Sequence, residues 1–274
     1  MKKILVLTDL SVKSRAGVHF AIQLAQKTKS TLIFYHFVQL LKPMRWSAAA
    51  YKEYAEREVA KLEKMLIKYV EDGFKASNGE KPAYRCIVQH GSDITSSVVK
   101  YASKSEIDAI CICTRGAGNF QKLMGTNSSR ILTMARTPVF VVPSAYKNIP
   151  SKHIFYASDL LNFDDEFKRV KKVASLVHAK ISIYHYDYYP NLVDKLNEIK
   201  RIKKLIAGTA RLYVRELQPE RPLTSHIVAD VNSGASLVVM FTDRKKHWFN
   251  QLVGDNHSKE VSFVTNIPLL VMEK

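Results

Sequence analysis

Cysteine is scarce in this 274-residue chain: Cys86, Cys111 and Cys113 are the whole complement. An odd number, seated in apolar runs, does not build a disulfide framework and implies a reducing compartment. Cys111 and Cys113 stand two apart in an expected strand, so they share a face as small core residues. A metal pair would need more Cys or His at ligand spacing, and the nine histidines are scattered with no His-x-x-x-His. Long apolar runs are missing too. Behind Met1-Lys2-Lys3 only Ile4 to Leu7 are apolar before Thr8-Asp9, short of the roughly 7–15 residues of a signal peptide. Nothing approaches the roughly 18 apolar residues of a transmembrane helix, so the expected location is cytoplasmic. Acid is the third deficit. Against 42 Lys and Arg stand 25 Asp and Glu, a net charge of +17, whose field attracts nucleotides, nucleic acid or anionic lipid.

What is present is enough to fold. Hydrophobic residues make up 46% of the chain and charged residues 24%, ordinary for a packed protein. At roughly 150 residues per domain the length suggests two domains, and the sequence repeats itself accordingly. Ile4-Leu5-Val6-Leu7-Thr8-Asp9-Leu10 is answered by Ile154-Phe155-Tyr156-Ala157-Ser158-Asp159-Leu160. A helical stretch follows each, Gly17 to Gln26 and Phe167 to Leu176. Next come Thr31 to His36 and Lys180 to His185, both ending in Tyr-His, and each half closes on a Pro-led apolar run, Pro138 to Val142 and Pro268 to Met272. The repeat places domains at 1–146 and 150–274.

In the first half, short apolar runs predict strands at 3–8, 31–37, 84–89, 108–113 and 138–142. Amphipathic stretches predict helices at 13–28, 46–76, 93–103 and 126–135. In the long helix the stripe Tyr51, Ala55, Val59, Leu62, Leu66, Val70 reads as a packing face. Nearly continuous apolar strands alternating with helices predict a doubly wound α/β fold, a parallel sheet covered on both faces.

In such a sheet, ligands lie at the carboxyl ends of the strands, near the point where strand order reverses. The residues past the first strand are Thr8 and Asp9; those past the fourth are Thr114, Arg115, Gly116, Ala117 and Gly118. Soon after, Gly125-Thr126-Asn127-Ser128-Ser129 opens a helix. Unpaired N–H groups, short hydroxyls and the helix dipole make an anion site there. The loop has no Gly-Lys-Ser/Thr, so it is not a Walker A loop, and its glycines follow the fourth strand, not the first as in dinucleotide folds. By themselves the glycines are equally compatible with turn geometry, and Asp9 with a helix N-cap.

The order of these motifs resembles the universal stress protein family in its tandem, two-domain form. The matching segments are Leu5 to Asp9, Tyr35-His36-Phe37, Cys113 to Gly116 with Gly125-Thr126, and Pro138 to Val142. The resemblance implies two Rossmann-like domains forming an intramolecular pseudo-dimer, paired through their final strands, with a further homodimer as an option. It implies a stress-response or signalling role and binding of ATP or AMP, with Mg on the phosphates. Asp9 would meet the adenine or ribose, with Leu7 and Thr8 as the adjacent wall and Phe37 near the adenine. Ile112, Cys113, Thr114, Arg115 and Gly116, with Gly118, would run along the ribose and phosphates. Gly125, Thr126, Asn127 and Ser128 would hold the phosphates.

This chain departs from the family's Gly-x2-Gly-x9-Gly-Ser/Thr pattern. Cys113 replaces the first glycine, where its side chain would crowd the ribose, and only eight residues separate Gly116 from Gly125. The second half lacks the pattern. Gly254 precedes Asp255, a carboxylate where a phosphate would lie, so that half is expected to be a degenerate copy. No catalytic residues are assigned, and hydrolysis, if any, would be slow. Two alternatives stay open: an interaction scaffold that binds no nucleotide, and nucleic-acid association through the clusters at 168–172, 200–204 and 244–248.

Overall fold

Strand formation follows the apolar runs closely. The chain, in a computed structural model, is described at residues 1–114, 126–147, 152–190, 192–221, 223–231, 234–242 and 266–274. The first repeat contains β1 (Lys3–Leu7), α1 (Arg15–Thr28), β2 (Thr31–Val38), α2 (Ala48–Lys75) and β3 (Tyr84–His90). It continues with α3 (Ile94–Lys104), β4 (Ala109–Cys113), α4 (Thr126–Met134) and β5 (Val139–Val142). The second contains β6 (His153–Ala157), α5 (Phe163–Val177), β7 (Lys180–Asp187), α6 (Val193–Leu205), β8 (Ala210–Glu216), α7 (Leu223–Val231), β9 (Leu237–Thr242) and β10 (Leu269–Glu273). The described residues divide into two compact units at 145/146.

Each unit has the same winding. Strand order is β3-β2-β1-β4-β5 in the first and β8-β7-β6-β9-β10 in the second. Every neighbouring pair within a unit is parallel, with Leu5 opposite Ile33 on one side and Ile110 on the other. In the second unit Phe155 stands between Ser182 and Val238. Both units therefore reverse direction beside their first strand, between β1 and β4 and between β6 and β9. Ile4, Leu5 and Val6, and likewise Ile154, Phe155 and Tyr156, are all but inaccessible, as strands covered on both faces must be.

The repeat extends to backbone detail. Leu10 and Leu160 both take left-handed φ values, 62° and 64°, because the preceding hydroxyl, Thr8 or Ser158, accepts the Leu N–H at 3.1 Å in each. His36 Nδ1 lies 2.9 Å from the Thr8 carbonyl, and His185 Nδ1 3.0 Å from that of Ser158. The paired histidines thus pin the loop after the first strand to the end of the second. Helices α1 and α5 both end on a left-handed residue, Lys29 and His178, the usual carboxyl-terminal cap geometry.

Three expectations are corrected. Helix α1 begins at Arg15, two residues after the expected start at 13, and the alternative reading of Asp9 as its N-cap falls away, for the Asp9 carboxylate accepts the Ser11 N–H at 3.1 Å within the loop. Helix α5 begins at Phe163, four residues before the expected start, with Asp164, Asp165 and Glu166 in its first turn. The stripe on α2 is buried at Ala55, Leu66 and Val70, joined by Tyr69, while Tyr51, Val59 and Leu62 are half-exposed. Among the described residues no helix is long and apolar enough to cross a membrane.

Candidate functional site

Parallel pairing of β1 with β4, Val6 opposite Cys111, brings Leu7, Thr8 and Asp9 beside Ile112, Cys113 and Thr114. Phe37 lies near the end of β2, two residues past the Tyr35 that faces Leu7. These seven residues gather at one carboxyl edge. Arg115, Gly116, Gly118 and Gly125 lie outside the described residues, and Thr126 opens α4. On α4, Asn127 is exposed and Ser128 half-buried. Its first turns are anchored to the same edge, for Arg130 donates to Asp93 at 3.0 Å, and Asp93 caps α3 just past β3 by accepting from Ser96 N–H. The Ser96 hydroxyl and N–H, with Arg130 nearby, hold the Asp93 carboxyl below its ordinary range.

A hydroxyl network shapes the loop between β1 and α1. Thr8 Oγ1 is 2.9 Å from Ser14 Oγ, which is 2.8 Å from the phenol of Tyr69 on α2. That phenol also reaches the Ser11 carbonyl at 2.9 Å. Burial raises the Tyr69 pKa, so the phenol stays protonated. Thr8 is buried within this network, whereas Asp9 is exposed at the edge. Ser14, Tyr69 and Arg130 shape the site without any signal in the local sequence, because the partners that bring Tyr69 and Arg130 into place are 30 to 60 residues away.

Cys113 is turned towards the start of α1: its thiol is 3.1 Å from the carbonyl of Lys13, two residues ahead of the helix. A Cβ built on Gly17 would lie 3.0 Å from the Cys113 Cβ. Gly17 thus makes the room at the α1–β4 contact that the cysteine takes up, and the Cys113 side chain is directed to the helix. Burial pushes its thiol up to about 11 and that of Cys111 well above its ordinary value, so neither is a nucleophile at neutral pH.

The corresponding crevice of the second unit is filled by its own side chains. The Lys274 ammonium pairs with Asp159, the counterpart of Asp9, and lies 3.6 Å from Glu166 Oε1. Counting back twelve residues from the caps Lys29 and His178 puts Glu166 where α1 has Gly17. Glu166 is 2% exposed and accepts the Tyr156 phenol at 2.5 Å; that phenol in turn accepts from Ser158 at 3.0 Å. Burial raises the Glu166 pKa; the Tyr156 hydrogen bond and the Lys274 charge oppose the rise. Stretch 243–256, which holds Gly254 and Asp255, lies outside the described residues. Among the described residues no group of three His, Cys, Asp or Glu is placed to hold a metal ion.

Against known families, the universal stress protein family model matches residues 1–143, just over half of the chain. The chain belongs to the universal stress protein family. Among solved structures, a universal stress protein from Archaeoglobus fulgidus DSM 4304 superposes with a TM-score of 0.72 at 15% identity, covering 99% of this chain and 98% of that one. A protein of unknown function from Pseudomonas aeruginosa PAO1 gives 0.61 at 14% identity, with 100% and 92% covered. Both likenesses concern the whole tandem fold. A universal stress protein solved in complex with cAMP matches 52% of this chain and 96% of its own at 20% identity, with a TM-score of 0.37. No curated protein matches this stress-family chain.

Proposed function

We propose that the first unit, residues 1–146, is the nucleotide-binding domain of a stress-response or signalling protein that binds ATP or AMP without fast turnover. The second, 150–274, is a degenerate copy. In this reading Leu7, Thr8, Asp9 and Phe37 surround the base and ribose, and Ile112 to Gly116 with Gly118 follow the ribose and phosphates. Gly125, Thr126, Asn127 and Ser128 receive the phosphates, over which Mg can bridge. The intramolecular pseudo-dimer and a cytoplasmic location belong to the same reading.

The observation that carries it is the contrast between the two switch points. At the first, Asp9 is exposed, Thr8 is held by hydroxyls, and the amino-terminal turn of α4 is tied to the same edge by Arg130 and Asp93. A helix amino terminus offers N–H groups and a favourable dipole to an anion. At the second, a lysine and a buried glutamate occupy the crevice, and Asp159 has the ammonium as its partner. A nucleotide there would have to displace an ion pair that is only 12% exposed on the lysine side.

Calorimetric titration of the full chain with ATP or AMP, with and without Mg, tests this. The expected stoichiometry is one. Gly125→Asp is expected to abolish binding, since the added carboxylate repels the phosphate and displacing it from one or two charge-assisted hydrogen bonds costs about 1.5–3 kcal/mol each, while Asp255→Ser leaves it nearly unchanged. A stoichiometry near two, or binding that survives Gly125→Asp, would place the site in the wrong half. Phosphate release under steady-state conditions separates a binder from a slow ATPase.

A further inference from the structure

A second concave feature lies at the opposite edge of the second sheet. The amino-terminal ends of β6, β7 and β8 border a groove of about 600 Å³ lined by His153, Lys180, Ser182, Thr209, Arg211 and Tyr213. That volume is nucleotide-sized. A smaller groove shares Arg211 and Tyr213 and adds Lys203 from the last turn of α6. Among the described residues no acidic one lines either groove.

The charge there is unbalanced in a way that it is not nearby. Arg201 is held by Asp164 and Glu198, Arg215 by Asp230, and Lys195 by Asp187. Lys180, Lys203 and Arg211 pair with no carboxylate among the described residues. The net charge of +17 is therefore locally uncompensated at this edge.

An aromatic ladder ends in the same groove. Phe155 stacks on Tyr184 with ring centroids 4.2 Å apart, and Tyr184 on Tyr213 at 4.8 Å. Strand β8 is the last in its sheet; Tyr213 is half-exposed there, stacked on Tyr184 on its inner side, with the Arg215 guanidinium 5.9 Å from its ring centroid. Deeper in, Ser182 Oγ is 2.7 Å from His153 Nε2, which fixes a hydroxyl and an imidazole beside the two cations.

The repeat supplies an internal control. By strand register the first unit has Thr31 where the second has Lys180, Ile33 where it has Ser182, and Ile87 where it has Tyr213; Arg85 matches Arg211. The fold is satisfied by aliphatic residues at two of these positions. The lysine, the hydroxyl and the stacking phenol are additions of the second copy that sheet packing does not require.

We propose that this groove binds a nucleotide unit, its phosphate on Lys180 and Arg211 and its base against the outer face of Tyr213. The unit comes from single-stranded nucleic acid or from a free nucleotide. Phosphate neutralised by Lys and Arg, with a base stacked on an aromatic side chain, is the general chemistry of sequence-tolerant strand binding.

The test uses the full chain and a fluorescently labelled twelve-residue thymidylate strand, read by anisotropy over a salt series. Thymine keeps the assay apart from the adenine site proposed for the first unit, and Gly125→Asp is expected to leave strand binding unchanged. Lys180→Ala/Arg211→Ala, both exposed positions, should weaken binding about a hundredfold, roughly tenfold per cation removed. It should also reduce the salt slope by about 1.4, since each phosphate neutralised on a single strand contributes about 0.7. Tyr213→Leu should cost about tenfold, with the thermal transition checked to show that the sheet is intact. Arg201→Ala, already neutralised by carboxylates, should bind like the parent chain. Displacement of the strand by millimolar thymidine monophosphate assigns the site to free nucleotides, and resistance to it assigns the site to strands. The proposal is overturned if the double variant binds within twofold of the parent or if Arg201→Ala weakens binding as much. It is equally overturned if a strand lacking bases binds as tightly as thymidylate.

Discussion

Replacing Lys274 by Met removes the cation from the crevice of the second unit and leaves Glu166 buried beside Asp159. Lys274 is 12% exposed and Glu166 3% on the side-chain scale, with Nζ 3.6 Å from Oε1. Removing one partner of a buried ion pair generally costs about 3–5 kcal/mol. Here the cost is limited, because Glu166 can take up a proton instead of standing unpaired. We therefore expect about 2–3 kcal/mol near pH 8, on the order of 10 °C in the melting temperature of a unit this size. The sign of the pH dependence follows from the Glu166 pKa, which burial already raises. A carboxyl raised on folding contributes stability below its unfolded value and loses it as pH climbs through the folded value. Without the Lys274 charge the folded value climbs further, so the deficit of Lys274→Met is small at pH 5 and grows towards pH 8. Glu166→Gln in the same background should recover most of the loss, since the amide can still accept from Tyr156. Thermal unfolding followed by circular dichroism at pH 5, 6.5 and 8 measures all three effects. Equal destabilisation by Lys274→Met at every pH, or additivity with Glu166→Gln, would refute the coupling.

Three further outcomes follow from the first unit. Gly17→Ala gains about 1 kcal/mol of helix propensity but sets a Cβ 3.0 Å from that of Cys113, an overpacking that costs about 1–3 kcal/mol. Chemical denaturation should show net destabilisation, and Cys113→Gly in the same chain should relieve the overpacking, visible as coupling in a double-mutant cycle. Tyr69→Phe removes the bonds to Ser14 and to the Ser11 carbonyl and should cost about 1–2 kcal/mol, with faster amide exchange at 10–14 and unchanged exchange in β5. The thiols of Cys86 and Cys113 are raised to about 11 and that of Cys111 well above its ordinary value, so a disulfide reagent at pH 7.5 should label the native chain slowly and the denatured chain at three sites. Rapid native labelling of Cys113 would contradict its seat against α1.

The legible parts of this protein were those written in neighbouring residues. Apolar runs bounded by polar or proline residues mark β1 to β5 within two residues; for β1, β4 and β5 the reason is that a strand buried on both faces admits almost nothing else, whereas the edge strand β3 is buried only at Val88. The repeated Thr/Ser-Asp-Leu and Tyr-His pairs are legible for the same reason: hydroxyl, left-handed turn and imidazole act within one loop and its adjoining strand. The starts of α1 and α5 were less legible, since Asp9 caps its own loop and the acids Asp164 to Glu166 interrupt the apolar residues of α5 between Phe163 and Phe167.

From sequence alone came the family, the doubly wound α/β winding and the strand ends at which ligands of such folds collect, for these rest on periodicity and on motifs of adjacent letters. Only the tertiary structure decided what fills those strand ends. Lys274 meets Asp159 from 115 residues away, Gly17 yields to Cys113, and Tyr69 reaches across from α2 to Ser14. The groove of Lys180, Arg211 and Tyr213 is of the same kind, because parallel pairing stacks residues from separate strands at one level of the sheet. Distance along the chain carries no trace of such meetings. They are set by register and by helix placement, which the packing of the whole unit determines.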